Sequence, residues 1–308
     1  MERRDFLRTL ALGGAAGLMQ LQPGRLPATP AKAPAASNDL VAAMGGEPVQ
    51  LYQKAIAAMG GISRFVKPGQ RVVLKPNIGW DRKPELAADT NPELVAAIVK
   101  DCLAAGASEV GVFDHTCDFW ERCYKTSGIE DAVKAAGGKM LFAHEEKYYR
   151  EVSIPQGKRL KKAKVHEAIL DYDVWLNVPI LKNHGGAKMT IALKNNMGVV
   201  WDRRYWHSND LQQCIADFST YKKPALNIVD AYRIMTQNGP QGTSLNDVQT
   251  PKALFIAVDP VAVDTASVNF FNQYKTMTIN DASHIKLGEE MKVGTTRLDA
   301  LKIERIRL

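Results

Sequence analysis

The sequence has little cysteine and lacks the common nucleotide-binding and hydrolase motifs. Its 308 residues include four cysteines and no Cys-x-x-Cys pair, which argues against a cysteine-ligated zinc or iron–sulfur site supplied by this chain. No Gly-x-Gly-x-x-Gly, Gly-x-x-x-x-Gly-Lys-Ser/Thr or Gly-x-Ser-x-Gly motif occurs, so a standard Rossmann, P-loop or serine-hydrolase enzyme is disfavoured. Whether Cys117 and Cys123 form a disulfide stays an open question, because closeness in sequence does not set the geometry of the pair.

Residues 1–36 differ in composition from the rest of the chain. Arg3 and Arg4 precede Phe-Leu and an apolar, Gly/Ala-rich run that ends at Met19, and a Pro/Ala-rich stretch follows. This pattern predicts a signal for the twin-arginine export machinery and therefore a periplasmic or otherwise exported protein. The apolar run is too short for a permanent membrane anchor. Without these residues the formal charge falls from +7 to +4, so binding of nucleic acid is not expected.

From about residue 41 onward, apolar runs alternate with turn signals, which predicts an α/β fold. We expect residues 41–308 to form a single domain with a mostly parallel or mixed central sheet flanked by helices. Arg71–Lys75 and Val174–Val178 are predicted as buried strands, since both are short apolar runs rich in valine. Phe119–Ala136 is predicted as one helix, and Thr265–Phe270 as another.

Several predicted strands end in polar residues. Open α/β sheets bind ligands at the carboxyl ends of their strands, so these residues are expected to share a polar pocket. The pair Asp114-His115 is explained equally well as part of a solvated loop. The strand-end groups are Lys75-Pro76-Asn77, Asp114-His115, Lys182-Asn183-His184, Asp230 and Asp259.

The segment from Val178 to His207 concentrates positive charge and predicts an anion-binding or catalytic site. Gly185 and Gly186 follow His184, and Gly198 comes shortly after Asn195-Asn196. Glycine allows backbone amides to approach an anion closely. The segment contains a single acid, Asp202. Its five fixed cations are Lys182, Lys188, Lys194, Arg203 and Arg204, and its two imidazoles are His184 and His207.

The residue types indicate roles within this site. A lysine close to other cations can have a lowered pKa and act as a base or nucleophile, and an imidazole can transfer protons. A divalent metal held by the histidines and aspartates is opposed by the neighbouring lysines, and we assign neither metal nor cofactor. The candidate catalytic residues are Lys182, His184, Lys194 and His207, and the candidate ligand-binding residues are Lys75, Asn77, Lys188, Asn195, Asp230, Asp259 and Asp264.

An ordered set of motifs resembles a known family over roughly residues 72–271. The motifs are Val73-Leu-Lys-Pro-Asn77, Val178-Pro-Ile-Leu-Lys-Asn-His184, Thr190 with Leu193-Lys-Asn-Asn-Met-Gly198, Asn227-Ile-Val-Asp-Ala231 and Asp259-Pro-Val-Ala-Val-Asp264. Together they are similar to domain of unknown function family 362, which has no settled reaction. Some members carry added cysteine-rich, ferredoxin-like segments and are described as iron–sulfur proteins. This chain lacks those cysteines, so the resemblance implies the polar pocket without that cluster.

Three functions remain open from the sequence. The first is an exported enzyme or cofactor-dependent protein that binds an anionic small molecule in a Lys/His/Asp pocket at the carboxyl edge of the sheet. The second is a periplasmic ligand-binding or accessory module without catalytic activity. The third is a redox protein with a bound flavin or metal centre, which export by the twin-arginine route would favour.

Overall fold

The structure is a computed structural model that describes residues 38–308, so the predicted export signal lies outside the described residues. Within this range the chain forms thirteen strands and ten α-helices. None of these helices is long and apolar enough to cross a membrane.

The strands are β1 (Leu40–Met44), β2 (Arg71–Pro76), β3 (Glu109–Val112), β4 (Lys139–Met140), β5 (Tyr149–Ser153), β6 (Lys162–His166), β7 (Val174–Val178), β8 (Ile180–His184), β9 (Lys188–Thr190), β10 (Leu226–Met235), β11 (Val248–Gln249), β12 (Ala253–Ala257) and β13 (Ile303–Arg307). The helices are α1 (Pro48–Ala58), α2 (Pro92–Ala104), α3 (Trp120–Thr126), α4 (Ile129–Ala135), α5 (Glu167–Asp171), α6 (Ala192–Asn195), α7 (Arg203–Ser208), α8 (Leu211–Ser219), α9 (Pro260–Phe271) and α10 (His284–Glu290).

One mixed sheet organises the described residues, which confirms the predicted α/β class. Its main path runs β13-β1-β12-β10-β7-β2-β3-β4, and β8, β9 and β11 extend it beside β10. The strands from β10 through β7, β2 and β3 to β4 are parallel, whereas β12 is antiparallel to both of its neighbours. A separate antiparallel pair, β5 and β6, makes a second, two-stranded sheet.

The central strands are buried on both faces, as their unbroken apolar sequences predict. Val72, Leu74 and Leu176 pack into one hydrophobic cluster, while Val73 and Trp175 pack into another. Because side chains alternate along a strand, these two clusters lie on opposite faces of the sheet. Polar groups of the central strands are therefore concentrated at the strand ends, where the apolar sequences stop.

Two helices differ from their predicted extents. Residues 119–136 form α3 and α4 in place of one helix, because Gly128 adopts a left-handed conformation with φ of 72° between them. Helix α9 starts at Pro260, five residues earlier than predicted. The Asp259 carboxylate caps it by accepting hydrogen bonds from the backbone N–H groups of Val261 and Ala262 at 2.8 and 3.0 Å.

Asp264 anchors the short helix α6 to α9. Its carboxylate is fully buried and accepts hydrogen bonds from the Ala192 N–H at 2.7 Å and the Leu193 N–H at 3.0 Å. These are backbone donors at the first turn of α6, where no helical carbonyl can accept from them. The contact therefore sets the position of the two residues that end α6, Lys194 and Asn195.

We predict that Asp264→Ala lowers the free energy of unfolding by several kcal/mol. Two buried N–H groups would lose their acceptor, and each such loss costs about 1–3 kcal/mol. Urea denaturation followed by circular dichroism measures the change. Asp299→Ala, at an exposed position, serves as the control and should leave the midpoint unchanged. Equal midpoints for both variants would show that Asp264 does not anchor α6.

Candidate functional site

A small cavity lies at the carboxyl ends of β2 and β3, between β8 and α6, and has a volume of about 50 Å³. We name it the strand-end cavity. Six of the residues predicted to form the site line it, and they are Lys75, Asn77, Lys182, His184, Lys194 and Asn195. The structure thus brings together residues separated by up to 120 positions in the sequence.

A buried ion pair forms one wall of the strand-end cavity. The Nζ of Lys75 lies 2.9 Å from Oδ1 of Asp114, and both side chains are almost fully buried. Burial lowers the pKa of Lys75, and the Asp114 carboxylate opposes this shift. The second oxygen, Oδ2 of Asp114, accepts a hydrogen bond from the Ile78 N–H at 2.7 Å. The pair therefore ties the end of β2 to the end of β3.

Gly198 provides the space that this ion pair occupies. A Cβ atom at position 198 would lie 1.9 Å from Oδ1 of Asp114 and 2.6 Å from Nζ of Lys75. Neither distance is compatible with van der Waals contact, so a larger residue would displace the pair. The sequence pattern had suggested that Gly198 brings a backbone amide toward an anion, whereas the structure shows that it makes room for side chains.

Asn195, at the end of α6, connects this helix to the ends of β2 and β7. Its Oδ1 accepts hydrogen bonds from Lys75 Nζ at 2.7 Å and from Asn77 Nδ2 at 3.1 Å. Its Nδ2 donates to the Lys75 carbonyl at 3.2 Å and to Asn177 Oδ1 at 2.8 Å. All four hydrogen-bonding positions of this amide are used within the protein, so Asn195 holds the geometry of the site.

Lys182 reaches the cavity from β8 and is 1% exposed. Its Nζ donates to Asn77 Oδ1 at 3.1 Å and to the Ala88 carbonyl. Burial lowers the pKa of Lys182 and raises that of Asp89, and the attraction between the two groups opposes both shifts. Asp89 is beyond ion-pair distance, and its Oδ2 is buried without a hydrogen-bond partner. The ammonium group is hydrogen-bonded but not neutralised.

Lys194 lines the cavity from α6 and, among residues 38–308, has neither a hydrogen-bond partner nor an acid within ion-pair distance. Burial first, together with the Arg203 guanidinium and the ammonium groups of Lys75 and Lys182, lowers its pKa to about 8. An amine with a pKa this close to neutrality can exchange protons under physiological conditions.

The two predicted catalytic histidines occupy different surroundings. His184 lines the cavity, and its Nδ1 lies 3.1 Å from the Ala187 N–H and accepts its hydrogen bond. This bond assigns the neutral ring its proton at Nε2. Burial first, and then the charge of Lys194, lower the pKa of His184 far below its usual range. His207 is exposed on α7 outside the cavity lining. Partial desolvation, together with the charges of Lys194 and Arg203, lowers its pKa.

Four predicted ligand-binding residues lie outside the strand-end cavity. Lys188 is exposed on β9. Asp230 accepts hydrogen bonds from the backbone N–H groups of Asn91 at 2.7 Å and Tyr232 at 3.0 Å, while Asp259 and Asp264 hold the helix ends described above. The structure differs from the prediction here because a carboxylate at a strand end can also accept hydrogen bonds from backbone N–H groups. Its position in the sequence does not show whether it binds the backbone or a ligand.

Three lining residues, Asp114, His115 and Arg203, were not among the candidate catalytic and ligand-binding residues, although the sequence placed two of them at a strand end and the third in the basic segment. Asp114 follows β3 and pairs with Lys75. The neighbouring His115 also lines the cavity. Arg203 donates hydrogen bonds to the His115 and Thr116 carbonyls, both at 2.7 Å, and its charge has no acid partner in the described part of the chain. In the sequence, the position of Asp114 at a strand end and the position of Arg203 in the basic segment indicated these two residues.

The remaining lining is mixed, since the polar residues Thr190 and Cys117 lie beside Trp80, Met197 and Pro240. The Thr190 hydroxyl is buried and has no hydrogen-bond partner, and Cys117 lies with its Sγ 3.4 Å from Nη1 of Arg203. All four cysteines are free thiols, including Cys117 and Cys123. Across residues 38–308, no group of three or more His, Cys, Asp or Glu side chains is arranged to hold a metal ion.

The sheet, the ordered motifs and the strand-end cavity define an α/β protein with a cationic site. Residues 72–269 match the family model described as Domain of unknown function (DUF362), and the chain belongs to this family.

A curated relative, thylakoid-associated protein sll1697 of Synechocystis sp., is 27% identical over 225 residues, which cover 68% of each protein. Two solved structures are similar at lower levels. The lactate racemase apoprotein from Thermoanaerobacterium thermosaccharolyticum has a TM-score of 0.43 and 10% identity, over 75% of this chain and 56% of that one. A Thermotoga maritima protein has a TM-score of 0.45 and 12% identity, over 80% of this chain and 60% of that one. The chain spans less than two thirds of both structures.

Two lysine variants should differ in stability, because only one of them breaks a buried ion pair. Lys75→Met leaves the buried Asp114 carboxylate without its cation, and breaking a buried pair from one side costs about 3–5 kcal/mol. Lys194→Met removes a partly buried charge that has no acid partner, so we expect an unchanged or higher thermal midpoint. Differential scanning calorimetry at pH 7 measures both variants.

Lys54→Met, at an exposed position on α1, is the matched control and should behave like the unmodified protein. A destabilised Lys194→Met variant would mean that Lys194 has a structural partner, and would remove the argument that its charge is held for a ligand.

Proposed function

We propose that the protein binds an anionic small molecule through the strand-end cavity and acts on it, as an enzyme or cofactor-dependent protein. The observation that carries this proposal is the uncompensated charge of the cavity lining. Lys75, Lys182, Lys194 and Arg203 contribute four cations, while the one acid of the lining, Asp114, is already paired with Lys75. Gathering cations beside a buried sheet is unfavourable until an anion neutralises them.

The volume of the cavity restricts the group that enters it. The cavity offers about 50 Å³, and a buried water molecule needs about 10–15 Å³ of such space, so the cavity has room for roughly three to five waters. A carboxylate or phosphate group is of this order, whereas a flavin ring is much larger. The size favours a small oxyanion group over a flavin ring inside the cavity, and the positive charge favours an anion over a metal ion.

Lys194 is the candidate proton acceptor of the site. Its amine has no partner in the described chain to hold it, and its pKa of about 8 allows a neutral fraction at physiological pH. His184 is positioned as a neutral donor, because its Nδ1 accepts from Ala187 and its Nε2 bears the proton. This arrangement assigns proton transfer to the lysine and orientation of the ligand to the imidazole.

A non-catalytic binding module is the second candidate. The observation that favours it is the strongly lowered pKa of His184, which keeps this imidazole neutral and removes it from proton transfer. In that case anion binding would depend on the lysines and on salt concentration. It would be retained in His184→Gln, whose side-chain amide can still donate a hydrogen bond to the ligand.

We predict that inorganic phosphate or acetate binds to the cavity and that Lys194→Met weakens this binding at least tenfold. A hydrogen bond to a charged group contributes about 1.5–3 kcal/mol, which corresponds to a factor of roughly ten to one hundred. Isothermal titration calorimetry at low salt measures the affinity, with Lys54→Met as a control that loses the same charge elsewhere. Wild-type affinity in Lys194→Met would refute the assignment of this lysine.

The binding of acetate, whose charge is constant between pH 6.5 and 9.5, should weaken as pH rises through about 8. The anion prefers the ammonium form of Lys194, and this form is lost above its pKa of about 8. In Lys194→Met the pH dependence should be shallower, with the remainder due to Lys182, whose pKa is also lowered. Titrations at pH 6.5 and 9.5 compare the two proteins. An affinity that does not change with pH would contradict the proposed proton acceptor.

We also propose that the protein is exported by the twin-arginine machinery, on the basis of residues 1–36. The pair Arg3 and Arg4 before an apolar, Gly/Ala-rich run supports this proposal. Replacing both with lysine should retain the protein inside the cell, as measured by fractionation and immunoblotting. Unimpaired export of that variant would refute the proposed route.

A further inference from the structure

A basic groove adjoins the strand-end cavity. It has a volume of about 810 Å³ and is lined by β6, α7 and the residues beside them. This volume is within the range of sites that hold whole small molecules, about 300–1,000 Å³. Six of its lining residues are cations, namely Arg159, Lys161, Lys162, Lys164, Arg203 and Arg204, against three acids.

Most of this positive charge is not neutralised by the protein. Lys162 pairs with Glu151 at 3.0 Å, and Lys164 pairs with Glu146. In the part of the chain that the structure describes, the other four cations have no acid within ion-pair distance. The third acid, Asp202, caps α7 by accepting from the Tyr205 N–H at 3.4 Å. The groove therefore presents several free cations to solvent.

Arg203 and His115 line both the groove and the strand-end cavity, so the two spaces share a wall. Arg203 is fixed there by its hydrogen bonds to the His115 and Thr116 carbonyls. His115 is stacked on Trp201 with ring centroids 4.9 Å apart and an interplanar angle of 2°. Its Nδ1 lies 2.9 Å from the Val200 carbonyl. Hydrogen bonds therefore fix Arg203 in the shared wall, and ring stacking on Trp201 fixes His115.

We infer that the ligand of this protein is an extended polyanion, with a terminal phosphate or carboxylate group in the strand-end cavity and further negative groups along the basic groove. This inference rests on the proposed function. The cavity alone accommodates a terminal group, and the body of the ligand then passes Arg203 into the groove. Arg203 contacts the ligand at the junction, and Lys161 and Arg204 neutralise its outer charges.

The test compares a short with a long anion of the same chemistry. Inorganic phosphate and tripolyphosphate form one pair, and acetate and citrate form the other, so that the two pairs distinguish a phosphate from a carboxylate terminus. Calorimetric titration at fixed ionic strength should show that the longer anion of at least one pair binds ten times more tightly or better. Phosphorus NMR should show that tripolyphosphate displaces phosphate.

Three variants locate the gain in affinity. The double variant Lys161→Ala/Arg204→Ala should lose most of the gain for the long anion and keep the affinity for the short one. Lys194→Met should weaken the binding of both the short and the long anion. The double variant Lys54→Ala/Lys125→Ala removes the same charge from exposed positions on α1 and α3 and should change neither.

Each contrary result has a defined meaning. If the short anion binds and the long one binds no more tightly, the inference is wrong and the proposed function stands. If tripolyphosphate binds equally well in the unmodified protein and in Lys194→Met, the groove is a separate basic surface and the inference is again wrong. If no anion binds, both the proposed function and the inference fail.

Discussion

The buried ion pair between Lys75 and Asp114 is the contact on which the candidate site depends. It joins the ends of β2 and β3, and through Asn195 it also reaches α6. Two buried charges are stable only when they are closely paired and hydrogen-bonded, so this contact constrains its surroundings tightly. Gly198 must lack a side chain, and Asp114 must keep the Ile78 N–H as its second donor.

With that pair satisfied, the remaining cations of the cavity have no acid within ion-pair distance in the described chain, although Asp89 attracts Lys182 from further away. Lys182 is hydrogen-bonded to an amide and a carbonyl, Arg203 to two carbonyls, and Lys194 has no partner in the described chain. Dipoles of this kind stabilise a cation less than a carboxylate does, and burial lowers the pKa values of both lysines. The arrangement costs stability that an anionic ligand would restore, a pattern typical of functional sites.

The sequence allowed much of the fold to be predicted, and about half of the site. Strands such as Val174–Val178 were recognisable because their apolar runs reflect burial on both faces. The division of residues 119–136 into two helices was not, because Gly128 is tolerated in a helical pattern and only its left-handed conformation ends α3. In the site, lysines and amides at strand ends were identified correctly as neighbours, whereas Asp230, Asp259 and Asp264 were not.

The sequence by itself determined the α/β class, the membership of the family and the presence of an unusual number of cations near strand ends, because periodicity and residue type are local properties. Only the tertiary structure decided which carboxylate neutralises which cation. Asp114 faces Lys75 across two parallel strands, while three other aspartates accept backbone N–H groups. Charge neutralisation depends on distances of a few ångströms between residues far apart in the chain, and those distances exist only after folding.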